Sequence, residues 1–221
     1  MGPGTLPGPP GELKKGSITV KEFSDSMFRT HGVRRGPVFF GKSRAHRFDA
    51  PDRSFGVLYA ACDPFCAFIE TFTRAAGTRV VTTTELERQA LSELKAERPL
   101  RLIDLTQSGA LLRIGADARL FSADYEISQK WSGFLHDHSL RLDGILYPSR
   151  LDPERHGIAL FEDRAPTILN LSRESWYAPG PMRRVLADLT EHYELELVEN
   201  RFVAPRKPVA SARQEKLFSD S

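Results

Sequence analysis

The chain has 221 residues, 40% hydrophobic and 27% charged, which is enough for one sizeable domain with its own core. Its net charge of +2, from 31 basic and 29 acidic residues, gives no electrostatic reason to expect direct nucleic-acid binding. No apolar run approaches the roughly 18 residues of a membrane span, and no basic patch precedes an apolar core, so we expect neither a membrane segment nor a secretory signal.

The two ends are predicted to be tails around a single domain. Residues 1–17 are rich in Gly and Pro, which predicts a flexible tail over 1–19 that does not pack into a core. Residues 204–221 are polar and interrupted by proline, which predicts a second flexible tail. The folded domain is therefore expected over 20–203.

In the first half of this domain, the clearest pattern is a buried strand followed by a helix. Residues 56–61 read as the strand, and the helix is predicted over 64–76, with Asp63 as N-cap, Pro64 at its first position and Gly77 as its end. Further short strands or turns are predicted at 26–32, 36–41 and 78–84.

The second half mixes helices and strands without a strict alternation. Residues 84–97 are rich in Glu, Leu, Arg and Lys, which predicts a surface helix. Further helices are predicted at 123–139 and 181–193, and strands at 100–105, 143–149, 157–163, 167–172 and 194–199. The pattern predicts an α+β fold, a single domain in which helices pack on a mixed sheet of short strands.

One acid on the helix after the buried strand has two interpretations. Phe65, Phe68, Ile69 and Phe72 form an apolar arc, and Glu70 lies off it beside small residues. Glu70 is either a solvated carboxylate paired with Arg74 four residues later, or an acid presented to a ligand.

Two other segments are candidates for binding. In 39–51, the basic residues Lys42, Arg44, His46 and Arg47 form either a solvated loop or an anion site. Ser149, at the end of a buried strand, either makes a turn or offers its hydroxyl to a substrate.

The usual catalytic motifs are missing. There is no GxSxG, P-loop, GxGxxG or HExxH motif, and the six histidines are scattered, so neither a serine nucleophile nor a metal site is expected. Cys62 and Cys66 are predicted to be buried reduced thiols, which suits a cytoplasmic protein.

Taken in order, several motifs between Phe28 and Arg164 resemble the RES domain family. They are FR at 28–29, HRFD at 46–49, FGVLYAA at 55–61, AFIET at 67–71, SQKW at 128–131, DGILYPSR at 143–150 and GIALFEDRA at 157–165. One departure is that His46 stands where the family usually has Gly before the arginine.

The resemblance implies a fold like that of ADP-ribosyltransferase toxins and an activity on NAD. Such proteins are typically toxins of bacterial toxin–antitoxin pairs that cleave NAD at the nicotinamide–ribose bond. NAD would be the substrate, with no cofactor or metal. The expected partner is a separate Xre-type antitoxin that covers the active site, and a homodimer is a further expectation.

The resemblance also implies roles for five residues. Arg47 would bind the pyrophosphate of NAD, with Arg29 as a second candidate. Glu70 would stabilise positive charge on the ribose, Tyr59 would contact the nicotinamide, and Ser149 would position the ribose or a phosphate. Two alternatives stay open: transfer of ADP-ribose to a protein target, and NAD binding without catalysis.

Overall fold

A computed structural model describes residues 6–75, 77–122 and 124–199. Within these residues, the strands form one sheet of eight strands and one sheet of two. The strands are β1 (Val20–Phe23), β2 (Met27–Gly32), β3 (Val57–Ala61), β4 (Val80–Thr82), β5 (Gln89–Ala96), β6 (Leu100–Asp104), β7 (Gly144–Pro148), β8 (His156–Phe161), β9 (Ile168–Ser175) and β10 (Glu196–Val198).

The large sheet has the strand order β1-β6-β7-β8-β3-β2-β5-β9. Its strands pair antiparallel except β6 and β7, which are parallel, so the sheet is mixed. The small sheet pairs β4 with β10. A single domain of helices packed on a mixed sheet confirms the predicted fold class.

Five α-helices and a 3-10 helix, residues 118–121, accompany the sheets in the described part of the chain. The α-helices are α1 (Pro64–Phe72), α2 (Thr83–Glu87), α3 (Ala110–Ile114), α4 (Tyr125–His136) and α5 (Pro181–His192). Across the ranges given above, no helix combines the length and the apolar character needed to cross a bilayer.

Successive residues of the central strands face opposite sides and enter different parts of the core. Ile145 packs in the cluster that contains Trp131 of α4, whereas its neighbour Leu146 packs in a second cluster with Leu58. A third cluster joins Phe68 of α1 to α5 and Trp176. Helices α1 and α4 are thereby fixed to the sheet by buried apolar surface.

The predicted surface helix over 84–97 is wrong for most of its length. Helix α2 ends at Glu87, and its capping box joins Thr82 to Glu85. The chain then enters β5, which pairs with β2 on one side and β9 on the other. Leu91 and Leu94 are buried there, so strand pairing and burial override the helical propensity of Glu, Leu and Lys.

The helix predicted over 64–76 is confirmed in type but is shorter. Asp63 caps α1 by accepting a 2.9 Å hydrogen bond from the Cys66 amide, as predicted. The helix ends at Phe72, where the hydroxyl of Thr73 bonds to the Ile69 carbonyl. The helix therefore stops short of Gly77, its predicted end.

Part of the predicted N-terminal tail contacts the core: Leu6 and Ser17 are buried, whereas residues 8–16 are half-buried or exposed. Leu6 is 2% exposed, and the indole Nε1 of Trp131 donates a 2.9 Å hydrogen bond to the Pro7 carbonyl. The buried Leu6 side chain and the hydrogen-bonded Trp131 indole attach this Gly/Pro-rich segment to the domain. The segment has no helix or strand before β1. The predicted tail over 204–221 lies outside the described residues.

Candidate active site

Glu70 lies between two cavities that share part of their walls. The first has a volume of about 180 Å³ and the second about 170 Å³. The side chains common to both are His46, Tyr59, Glu70, Arg74 and Tyr147. The two cavities together are called the cleft below.

The position of Glu70 follows from how α1 is attached to the sheet. Phe68 and Ile69 are buried in the core, which turns the next residue, Glu70, toward the cleft. The hydroxyl of Thr30 on β2 donates a 3.0 Å hydrogen bond to the Ala67 carbonyl and accepts one of 3.0 Å from the Trp176 indole. These contacts hold the helix rigidly beside β2 and β3.

The Glu70 carboxylate has a short hydrogen bond to a buried hydroxyl. Ser149 Oγ donates to Glu70 Oε1 at 2.6 Å, and Ser149 is 2% exposed. The same Oγ accepts hydrogen bonds from the amides of Leu151 at 3.1 Å and Asp152 at 3.4 Å. The Ser149 hydroxyl thus bonds both the Glu70 carboxylate and the turn that follows β7, and a contact with substrate stays a prediction.

The sequence alternative that pairs Glu70 with Arg74 in a surface ion pair is not what the fold contains. Arg74 Nε donates to the backbone carbonyl of Glu70 at 3.0 Å, and its guanidinium lies 3.4 Å from Nδ1 of His46. Among the ion pairs formed by residues 6–75, 77–122 and 124–199, none involves the Glu70 carboxylate. The carboxylate therefore remains open to the cleft on the side away from Ser149.

Arg47 lines the first cavity together with Glu70, so the predicted pair does share one cleft. Its NH1 donates hydrogen bonds to Ser128 Oγ at 3.1 Å and to the Leu120 carbonyl at 3.4 Å. The guanidinium carbon is 5.0 Å from the centre of the Tyr125 ring. Burial lowers the pKa of Arg47.

Arg29 lines the second cavity, on the other side of Glu70. Its NH1 donates a 2.9 Å hydrogen bond to the Phe39 carbonyl. Burial lowers the pKa of Arg29 to about 10, so the guanidinium remains charged at neutral pH. Arg29 and Arg47 therefore flank the carboxylate, one in each cavity.

Tyr59 forms part of the wall, but its hydroxyl is already used. It donates to Asp49 Oδ1 at 3.0 Å and accepts from the Phe48 amide at 2.9 Å. Burial raises the pKa of Tyr59 well above its usual value, and the nearby Asp49 carboxylate adds to the effect. Tyr59 thus ties the loop that carries Arg47 to β3, and only its ring is available to a ligand.

The histidine that departs from the family motif is accommodated without strain. Arg44, and not His46, has a positive φ in this loop, at 62°. The backbone at position 46 therefore does not require glycine. The His46 ring packs against Tyr59 with centroids 5.1 Å apart, and burial lowers its pKa.

Three lining residues were missed by sequence reasoning as site residues. Arg74 and Arg150 add two guanidinium groups to the cleft, and Tyr147 adds a phenol common to both cavities. The available signal was their spacing, because Arg74 is one helical turn after Glu70 and Tyr147 and Arg150 flank the Pro148-Ser149 pair. Together with Arg29 and Arg47, they make the cleft more basic than the chain as a whole.

The two cysteines are unpaired thiols close to α1. Burial raises the pKa of Cys62 to about 12 and that of Cys66 further, so neither thiol ionises readily at neutral pH. Within the described residues, no group of three or more His, Cys, Asp or Glu side chains is arranged to hold a metal ion. The charged side chains that line the cleft are thus one carboxylate and several guanidinium groups.

Comparison with known proteins relates this chain to one family and to two toxin-related proteins. The family model of the RES domain matches residues 24–183. The probable toxin y4kH of Sinorhizobium fredii is 34% identical over 126 residues, which cover 55% of this chain and 93% of that protein. A chain in the crystal structure of the M. tuberculosis MbcT-MbcA toxin-antitoxin complex has the same fold, with a TM-score of 0.53 and 18% identity over 76% of this chain and 92% of that one.

Proposed function

This chain belongs to the RES domain family, and we propose that it is the toxin of a bacterial toxin–antitoxin pair that degrades NAD by cleaving the nicotinamide–ribose bond. The observation that carries the proposal is the placement of Glu70. One face of its carboxylate is held by Ser149, the other is open, and guanidinium groups lie in both adjoining cavities.

The proposed reaction breaks the bond between C1′ of the ribose and the ring nitrogen of nicotinamide. The bonding electrons leave with nicotinamide, which becomes neutral, and positive charge develops on C1′ and the ribose ring oxygen. Water then adds to C1′ and loses a proton, giving ADP-ribose. Glu70 acts by stabilising the developing charge, because a fixed carboxylate in a partly dehydrated site attracts a nearby cation strongly.

The arginines supply the charge that NAD requires. The pyrophosphate of NAD carries two negative charges, and a guanidinium group can bind a phosphate through two parallel hydrogen bonds. Arg47 is the primary candidate for this contact and Arg29 the second, since one lies in each cavity beside Glu70. The ring of Tyr59 would pack against nicotinamide, with its hydroxyl still bonded to Asp49.

The toxin role rests on the family and on the names of the matched proteins. The Sinorhizobium fredii relative is described as a probable toxin, and the structural neighbour belongs to a toxin-antitoxin complex. We propose an Xre-type antitoxin as the partner, bound over the cleft so that NAD cannot enter, and a cytoplasmic location where NAD is abundant. A homodimer is proposed as the solution state, to be tested by light scattering.

The test is release of nicotinamide from NAD by the purified protein. Glu70→Gln preserves shape and can still accept the Ser149 hydrogen bond, but it removes the negative charge. We expect its rate to fall at least 100-fold with the fold intact, because about 3 kcal/mol of transition-state stabilisation is typical for a well-placed charged group. Glu87→Gln, an exposed acid on α2, is the matched control and should keep the wild-type rate.

Each result has a distinct meaning. Unchanged turnover in Glu70→Gln would eliminate the mechanism. Tight NAD binding by the wild type without nicotinamide release would favour the binding module, and radiolabelled ADP-ribose on a cellular protein would favour transfer over hydrolysis.

A further inference from the structure

A phenol hydroxyl in the cleft has no hydrogen-bond partner among residues 6–75, 77–122 and 124–199. Tyr147 lies near the end of β7, and its ring lines both cavities beside Glu70. Among the described residues, no hydrogen bond engages its hydroxyl, in contrast to Tyr59 and Tyr193, whose hydroxyls each bond to an aspartate. Among the described residues, the fully buried side-chain nitrogen or oxygen that lacks a hydrogen-bond partner is Arg164 NH1. The Tyr147 hydroxyl is therefore not completely buried and can be reached by a ligand.

The position of the Tyr147 ring is fixed by packing. Gly157 faces it on β8, and a Cβ at that position would lie 2.5 Å from the ring carbon Cζ and 2.7 Å from the hydroxyl oxygen. On another side, the ring packs against Phe48 with centroids 4.8 Å apart and planes at 60°. Only glycine at 157 leaves room for the phenol at this place, so its hydroxyl is oriented without needing a hydrogen bond of its own.

The Tyr147 hydroxyl is a hydrogen-bond donor at any physiological pH. Burial raises its pKa well above the usual value, and the nearby Glu70 carboxylate raises it further. The carboxylate can only accept hydrogen bonds, whereas the phenol can donate one without carrying a charge. The same part of the cleft thus offers a fixed acceptor and a neutral donor.

We infer that Tyr147 is a substrate-binding residue whose hydroxyl donates a hydrogen bond to a hydroxyl oxygen of the nicotinamide ribose, while Glu70 accepts one from the same sugar. This inference rests on the proposed function. The reacting ribose is the part of NAD that must lie against Glu70, and Tyr147 lines both of the cavities that meet there. A neutral donor suits this place because a further cation would oppose the positive charge that develops on the sugar.

The experiment combines Tyr147→Phe with two substrate analogues, NAD lacking the 2′- or the 3′-hydroxyl of its nicotinamide ribose. With NAD, we expect kcat/KM to fall about 10-fold, as for loss of one neutral hydrogen bond. The melting temperature should not fall, because the substitution breaks no hydrogen bond in the part of the chain that the structure describes. With the analogue that lacks the bonded hydroxyl, wild type and Tyr147→Phe should be equally active.

A matched control separates this role from a general effect of losing a phenol hydroxyl. Tyr177→Phe makes the same change in the core cluster around Trp176, away from the cleft, and should retain wild-type kinetics with NAD. Full activity of Tyr147→Phe would overturn the inference. The inference would also be overturned if, with both analogues, the fall in kcat/KM caused by Tyr147→Phe multiplied the fall caused by removing the substrate hydroxyl. The enzyme and substrate hydroxyls would then act independently.

The inference can fail separately from the proposed function. Absence of nicotinamide release by the wild type would reject the proposed function alone. NAD binding, measured by calorimetry, then tests Tyr147 directly: the double variant Glu70→Gln/Tyr147→Phe should bind NAD about 10-fold more weakly than Glu70→Gln. Equal affinity of the two proteins would overturn the inference.

Discussion

Ser149 and Glu70, 79 residues apart in the chain, are joined by a 2.6 Å hydrogen bond in which the serine hydroxyl donates to the carboxylate. The bond connects the residue that follows β7 to the last turn of α1. It fixes one oxygen of the carboxylate and leaves the other side facing the cleft. Because the Ser149 hydroxyl is buried and both donates and accepts hydrogen bonds, we infer that this serine positions the Glu70 carboxylate.

Ser149→Ala should therefore lower kcat for nicotinamide release more than it changes KM for NAD. We expect a fall of about 10-fold, since loss of a hydrogen bond to a charged group costs about 1.5–3 kcal/mol and part of this affects stability. Steady-state kinetics provide the measurement. Ser92→Ala, which removes another buried serine hydroxyl bonded to His31, should lower stability with kcat unchanged. Equal kcat for Ser149→Ala and wild type would contradict a positioning role.

Arg47→Gln should raise KM for NAD by at least 10-fold, because loss of a partly buried guanidinium removes a charge-assisted contact worth about 1.5–3 kcal/mol. Arg47→Lys keeps the charge but loses the bidentate hydrogen-bonding geometry of the guanidinium, so we expect a KM between those of the wild type and Arg47→Gln. Arg101→Gln, an exposed arginine on β6, is the control. A KM for Arg47→Gln that matches that of Arg101→Gln would show that Arg47 does not bind substrate.

Gly157→Ala should destabilise the protein by about 1–3 kcal/mol, as expected when a methyl group is forced into a packed site. The added Cβ would overlap the Tyr147 ring, which can move only by giving up its contact with Phe48. Urea unfolding measures the loss. Gly11→Ala, where a Cβ has no neighbour within 4 Å, should leave the free energy of unfolding unchanged. Equal stability of the two variants would mean that the ring is not confined.

His31 should make stability sensitive to mild acid. Burial lowers the pKa of this histidine, whose Nε2 lies 2.9 Å from the Ser92 hydroxyl. As the pH falls through about 6.5, the unfolded chain takes up a proton at this site more readily than the folded protein does, so acidification favours unfolding. We expect the wild type to lose more free energy of unfolding than His31→Asn between pH 7.5 and pH 5.5. Equal losses in urea titrations at the two pH values would contradict this assignment.

Leu6→Ala should destabilise the protein by about 2–4 kcal/mol, the usual cost of truncating a buried leucine. The prediction is specific to the structure, since the sequence suggested a flexible tail at this position. Unfolding can be followed through the fluorescence of Trp131, which bonds to the neighbouring Pro7. Leu112→Ala, at a leucine that is 82% exposed, should change stability by less than about 0.5 kcal/mol. A Leu6→Ala variant as stable as Leu112→Ala would show that the N-terminal segment is not docked.

The local sequence was sufficient to predict a helix or strand where the short segment itself contains the residues that determine that structure. The Asp63-Pro64 pair starts α1 because a carboxylate can cap the first amides and proline fits the first helical position. The buried strand before it and the strands around 100–105, 143–149 and 157–163 were predicted from their apolar content alone. The order of motifs also gave the family, because those residues keep their spacing along the chain.

From the sequence, the order of family motifs predicted that a carboxylate at 70, guanidinium groups at 29 and 47 and a serine at 149 belong to one site. Only the tertiary structure decided what each side chain does there, because hydrogen-bond partners come from distant segments. Ser149 donates a hydrogen bond to Glu70, Tyr59 is bonded to Asp49, and the Tyr147 ring has room in the cleft because Gly157 lies across the sheet. Residues 89–96 form a strand for the same reason: their neighbours in β2 and β9 outweigh the local preference for helix.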